Sequence, residues 1–156
     1  ADPQQRSQAA RAWADARRAA LLEAATPFAS ETVFSHPSKL ALMQDAQRHG
    51  YTVALYVVAL DDPARLLARV AQRVREGGHP VPPERILARY PRTMANLARA
   101  VQIADVAYLY DAMDVDQGGP RLVAVRTPTT TTALAGVMPT WAQQMLPGAG
   151  TGQGIE

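Results

Sequence analysis

Cysteine is absent from this chain of 156 residues. That removes disulfides, thiol nucleophiles and zinc–thiolate sites together, and it fits a cytoplasmic setting. Lysine occurs once, as Lys39, and no glycine precedes Gly50. A phosphate-binding Gly-x-x-x-x-Gly-Lys-Ser/Thr loop therefore cannot be written anywhere in the chain. No run of about 18 apolar residues exists, so no membrane-spanning helix is expected. No charged n-region precedes an apolar h-region, so no signal peptide is visible. His36, His49 and His79 do not fall at a metal-ligand spacing, and no metal ligands are assigned. Aromatics are only 6% of the residues and are not interleaved with the basic ones. That argues against a base-stacking surface and against nucleic acid as a partner.

What is present is alanine and arginine. The length points to one domain, and it suffices to bury most of the apolar surface. The 47% hydrophobic content is inflated by alanine, so the core is built from small pieces. Between Arg65 and Arg99 stand eight arginines against Glu76 and Glu84, a local charge of +6. Arginine in place of lysine favours bidentate recognition of phosphate or carboxylate. A solvated helix face is the plain alternative for any single one of them. The same helices could also neutralise nucleic-acid phosphates.

Periodicity gives an alternation of helices and strands. Residues 4–25 contain helix formers and neither Gly nor Pro, with Trp13, Ala16, Ala20 and Leu21 as an apolar stripe. Residues 28–32 read as a short strand. Residues 37–49 read as a helix with Gly50 at its C′ position. Residues 51–60 are a nearly continuous apolar run, which predicts a strand buried on both faces. Asp61 or Asp62 can cap a helix that starts at Pro63 and runs to about Glu76. A helix from Glu84 should kink or break at Pro91. Residues 106–110 and 121–126 complete the strands. Residues 127–156, rich in Thr, Gly and Pro, read as a flexible tail with a weakly docked helix at 140–146. The expectation is an α/β fold with a parallel sheet, residues 1–126 forming the domain.

In such sheets ligands sit at the carboxyl ends of the strands. Glu31 stands at one such end, where a carboxylate can orient a sugar hydroxyl or hold Mg²⁺ through water. Thr32, Ser35, His36 and Lys39 follow around the next helix N-terminus, a natural anion site. Gly77-Gly78-His79 joins the two basic helices and lets the backbone bend. Arg73, Arg89 and Arg92 make a candidate lid that closes over phosphates. Asp111 can touch a ribose, a base or a metal, or serve as a turn cap.

Two blocks carry a family resemblance. One is Glu31-Thr32-Val33-Phe34-Ser35-His36-Pro37-Ser38-Lys39. The other contains Arg69, Arg73, Gly77-Gly78-His79, Val81-Pro82, Arg89-Tyr90, Arg92 and Asn96-Leu97, and Asp105 and Tyr110-Asp111 close the match. Residues 26–111 resemble the zeta-toxin family of P-loop small-molecule kinases, in particular its chromosomal predicted-ATPase branch. The resemblance implies a P-loop sheet, ATP and Mg²⁺ as cofactors, and transfer to a small molecule such as a UDP-sugar hydroxyl. It implies an antitoxin protein as a partner. It places Glu31 toward substrate, Arg89 and Arg92 on the migrating phosphoryl group, and Arg73 and His79 in the lid. It also implies a Walker A loop and a catalytic aspartate upstream of Ala1, about 40–60 residues by the size of one β-loop-α-β unit. The chain then reads as a kinase fragment. The alternative is a non-catalytic remnant that binds a partner protein or nucleic acid.

Overall fold

The computed structural model describes residues 2–113 and 118–148. The elements are α1 (Pro3–Glu23), α2 (Ser38–Arg48), β1 (Ala54–Ala59), α3 (Pro63–Arg75), α4 (Pro83–Ile103), β2 (Val106–Asp111), β3 (Arg121–Arg126), β4 (Thr131–Ala133) and α5 (Thr140–Met145). The strands lie in the order β1-β2-β3-β4. This is an α/β fold, consistent with a P-loop-like layout. The sheet is mixed. β1 and β2 run parallel, in register from Ala54↔Val106 to Ala59↔Asp111. β3 and β4 then add antiparallel.

Helix ends follow local chemistry. Asp2 and Asp62 cap α1 and α3 through their side chains, each followed by a proline in the first turn. Three helices end in the same paired-bond motif. After α2, Tyr51 N donates to Ala46 O and Gly50 N to Gln47 O, both at 3.0 Å. After α3, Gly78 N donates to Arg73 O at 2.8 Å and Gly77 N to Val74 O at 3.1 Å. After α1, Thr26 N donates to Leu21 O and Ala25 N to Leu22 O. Each turn needs a left-handed residue. Gly50 and Gly77 supply it, and Ala25 takes the same role at φ 51.

One hydrophobic core lies on one side of the sheet. Leu55, Val57, Ala59, Ala107, Leu109 and Val123 face Leu40 and Met43 of α2, Ala100 and Val101 of α4, and Trp141, Ala142 and Met145 of α5. The opposite face is open. Tyr56 is 64% and Val58 56% exposed. The Tyr56 ring stacks on Tyr108 at 4.8 Å between centroids, and Tyr110 lies 6.5 Å from Tyr56.

Several expectations are corrected here. The apolar run at 51–60 is buried on one face only, because every helix of the core cluster packs on the same side. Residues 28–32 form no strand. Their backbone groups pair with no other strand among the described residues, and an extended run without a ladder is not a strand. The sheet is parallel only between β1 and β2. Pro91 does not break α4, which is continuous from Pro83 to Ile103. The proline leaves the carbonyl of Leu87 without its helical donor, and the helix continues through it.

The segment read as a flexible tail is largely structured over its described part. Thr131–Ala133 forms β4. The threonines before it make a turn in which Thr127 N donates to Thr130 O at 2.8 Å and Thr130 N to Thr127 Oγ1 at 3.1 Å. The helix at 140–145 is part of the core, with Trp141 only 2% exposed. Residues 149–156 of that segment lie outside the described residues.

Candidate functional site

The residues from Glu31 to His36 sit on an extended segment between α1 and α2. From Pro27 to His36, no backbone amide or carbonyl bonds to another backbone group among the described residues. The Phe28 ring packs edge-on against Tyr51, Arg18 reaches Ser30 at 3.5 Å, and two further features hold the segment near α4. Phe34 is buried in the core. The side chain of Asn96 on α4 donates from Nδ2 to the Phe34 carbonyl at 2.8 Å. Glu31 and Thr32 are exposed, as is His36. His36 Nδ1 accepts from Ser38 N at 3.1 Å, so the ring caps the entry to α2. Lys39 and Ser35 are half-buried. Nothing bridges Glu31, Ser35 or Lys39 to one another among the described residues.

The arginines divide into two groups. Arg65 and Arg69 tie α3 to the end of β2, donating to the carbonyls of Met113 and Ala112. These are structural bonds that charge counting could not separate from ligand sites. Arg73, Arg89 and Arg92 are exposed and have no hydrogen bond or ion pair among the described residues. Arg89 and Arg92 lie three residues apart on α4, hence on one face. His79 is exposed in the connection between α3 and α4.

The glycines of that connection have a local cause. Gly77 has φ 98, and a Cβ on Gly78 would sit 2.8 Å from Arg73 O. Both positions are dictated by the way α3 ends, whatever the loop binds.

Asp111, read from the sequence as a ligand contact or a turn cap, has a partner within the fold. Asp111 is buried, and its Oδ1 accepts from the indole Nε1 of Trp141 at 3.0 Å. Its neighbour at the end of β1 behaves alike. Asp61 accepts from Thr140 N at 2.9 Å and Trp141 N at 2.7 Å. Both carboxylates at the strand ends therefore hold α5, while Asp62 caps α3. Asp105 is likewise structural, accepting from Val53 N at 2.7 Å. A groove of ≈ 690 Å³ between α4 and α5 is lined by Asp61, Tyr90, Met94, Trp141 and Met145, among others. None of the site residues selected from the sequence lines it. Tyr90 donates to Leu60 O at 2.7 Å. Burial first, and the nearby Asp61 carboxylate second, push its phenol above the ordinary tyrosine pKa.

The zeta-toxin family model matches residues 4–117. The chain belongs to the zeta-toxin family. No curated protein and no solved structure gives a significant match.

Membership of this family points to ATP-dependent kinase chemistry in general, with a nucleotide and Mg²⁺. The residues of this zeta-toxin chain do not by themselves fit that pair. A phosphate loop needs glycines and a lysine that the sequence does not supply before Gly50. Among the described residues no three His, Cys, Asp or Glu side chains cluster as a metal site. Of the residues singled out from the sequence, Arg73, Arg89 and Arg92 present exposed guanidinium groups and Glu31 an exposed carboxylate. No helix among the described residues is long and apolar enough to cross a membrane.

Proposed function

We propose that this chain carries the acceptor-side and arginine parts of an ATP-dependent small-molecule kinase, working with a phosphate-binding loop supplied from outside these residues. The observation that carries this reading is the α4 face on which Arg89 and Arg92 stand without hydrogen-bond or ion-pair partners among the described residues. Guanidinium groups left free beside one another suit the charge that spreads over a migrating phosphoryl group. Arg73 and His79, on the neighbouring arm, join them as the lid. Glu31, with Thr32, Ser35, His36 and Lys39 nearby, orients the acceptor hydroxyl. A nucleotide sugar such as UDP-N-acetylglucosamine is the acceptor that the family resemblance favours. A cytoplasmic setting, where ATP and nucleotide sugars are found, and an antitoxin that covers the nucleotide site complete the reading.

The test uses the chain joined to its phosphate loop, with ATP, Mg²⁺ and UDP-N-acetylglucosamine. Turnover is expected, and Glu31→Ala or Arg92→Ala should lower it at least about a hundredfold, the scale of removing one charge-stabilising group. Full activity in both variants overturns the site assignment.

One observation favours a second reading, a non-catalytic binding module. The open face of Tyr56, Val58, Tyr108 and Tyr110 is the kind of apolar surface that a partner protein covers. Nucleic acid fits that face poorly, since no arginine or lysine is interleaved with these aromatic residues along β1 and β2. A chain that binds no nucleotide and turns over no ATP with its loop present would favour this module.

A further inference from the structure

We infer that Asn96 is a positioning residue that sets the Glu31 segment against the Arg89–Arg92 face of α4. The inference rests on the kinase reading above. Arg89, Arg92 and Asn96 follow each other at three and four residues, so they share one face of the helix. The Asn96 amide ends that row, and it donates to the Phe34 carbonyl at 2.8 Å. No backbone group of Pro27–His36 pairs with another backbone group among the described residues. The other hydrogen bonds of the segment are local, or join Ser30 to Arg18 at 3.5 Å. Asn96 is thus the hydrogen bond that fixes where this extended stretch lies on α4.

The reach is short on both sides of that bond. Glu31 is three residues before Phe34, at most about 10 Å of extended chain. Arg92 is four residues before Asn96, about 6 Å along the helix axis. One amide therefore sets the relation between the acceptor-facing carboxylate and the phosphate-facing arginines. A displacement of about 1 Å in such a relation costs up to about a hundredfold in rate. Leucine or alanine at this position would leave the Phe34 carbonyl without a donor. Aspartate would keep the shape and put like partial charges together.

The experiment compares wild type with Asn96→Asp and Asn96→His, the latter chosen because an imidazole N–H can restore a donor at similar reach. The first readout is chymotrypsin cleavage after Phe34 in the chain as it stands, with thermal unfolding followed in parallel. Asn96→Asp should be cut at least about tenfold faster there at a temperature where Trp141 fluorescence still reports a folded core, and Asn96→His should be protected again. The second readout uses the chain joined to its phosphate loop, with ATP, Mg²⁺ and UDP-N-acetylglucosamine. Asn96→Asp should lower kcat/KM for the acceptor about 10- to 100-fold while KM for ATP stays unchanged.

Unchanged cleavage overturns the clamp whatever the activity. Faster cleavage with unchanged turnover makes Asn96 structural and overturns its positioning role. An inactive wild type overturns the kinase reading and the positioning role with it, and the cleavage result still decides whether the clamp exists.

Discussion

The indole of Trp141 donates to Asp111 across 3.0 Å, and both residues are buried. This bond joins the end of β2 to a helix thirty residues further along the chain. The indole is a neutral donor, and it satisfies one oxygen of the buried Asp111 side chain. Trp141→Phe keeps most of the apolar surface and removes the donor. It should destabilise the fold by about 2–3 kcal/mol, the cost of a buried charged acceptor left unpaired. Trp141→Ala adds a cavity and should cost about 3–5 kcal/mol. Urea denaturation followed by circular dichroism measures both. A loss below about 1 kcal/mol for Trp141→Phe would show that α5 is not held as described.

Ala25 occupies the left-handed position that ends α1, at φ 51. That conformation costs a non-glycine residue about 1–2 kcal/mol. Glycine removes the cost but adds about 0.4–1 kcal/mol of unfolded-state entropy. The first effect is larger, so Ala25→Gly should stabilise by about 0.5–1 kcal/mol. The same denaturation experiment gives the sign.

The raised pKa of Tyr90 sets a pH dependence. The phenol is held protonated in the folded state by burial and by Asp61. In the unfolded chain it ionises near pH 10. Below that value both states carry the proton, and the contribution is fully present. As pH rises past it, the unfolded state loses its proton first, so stability falls. Tyr90→Phe should flatten the fall between pH 9 and 11 while costing about 1 kcal/mol at neutral pH for the lost bond to Leu60. Urea midpoints at about pH 7.5 and pH 10.5 decide it. An equal fall in both proteins would assign the effect to other groups.

The two groups of arginines should separate in stability assays. Arg73→Ala, Arg89→Ala and Arg92→Ala remove exposed side chains that have no partner among the described residues, and should shift stability by no more than about 0.5 kcal/mol. Arg69→Ala removes a charged donor from the Ala112 carbonyl and should cost about 1.5–3 kcal/mol. Loss of turnover in the first three then reports on the site, because the fold is intact.

Much of the element pattern was legible in the sequence, since it depends on neighbours along the chain. The residues of β3, 121–126, follow from turn chemistry and β-branched content. The ends of α2 and α3 follow from Gly50 and Gly77, because few other residues tolerate the turn. The Asp62-Pro63 pair announces the start of α3. Pro91 misleads because one missing amide donor does not end a helix that packs against the core through Ala100 and Val101. Residues 28–32 mislead because extended propensity cannot supply a partner strand. For the candidate site, the sequence offers residue types and the structure adds which of them face solvent. Glu31, Arg89 and Arg92 are exposed, as a ligand-facing group must be. Asp111 carries the composition of a ligand residue and the contacts of a structural one, and only the indole beside it tells them apart.

The sequence by itself determined where helices start and stop, the absence of a phosphate-binding loop from this chain, and the concentration of arginine between 65 and 99. These are local properties, set by backbone geometry and by residue chemistry. Tertiary structure alone decided which arginines are tied to carbonyls and which face solvent. It decided that β1 buries one face and exposes Tyr56 and Val58 on the other. It brought the threonine-rich segment back as β4 and α5, with Trp141 closing the core. The physical reason is common to all three. Burial and hydrogen bonding join residues distant in the chain, and no local pattern records which partner a side chain will meet.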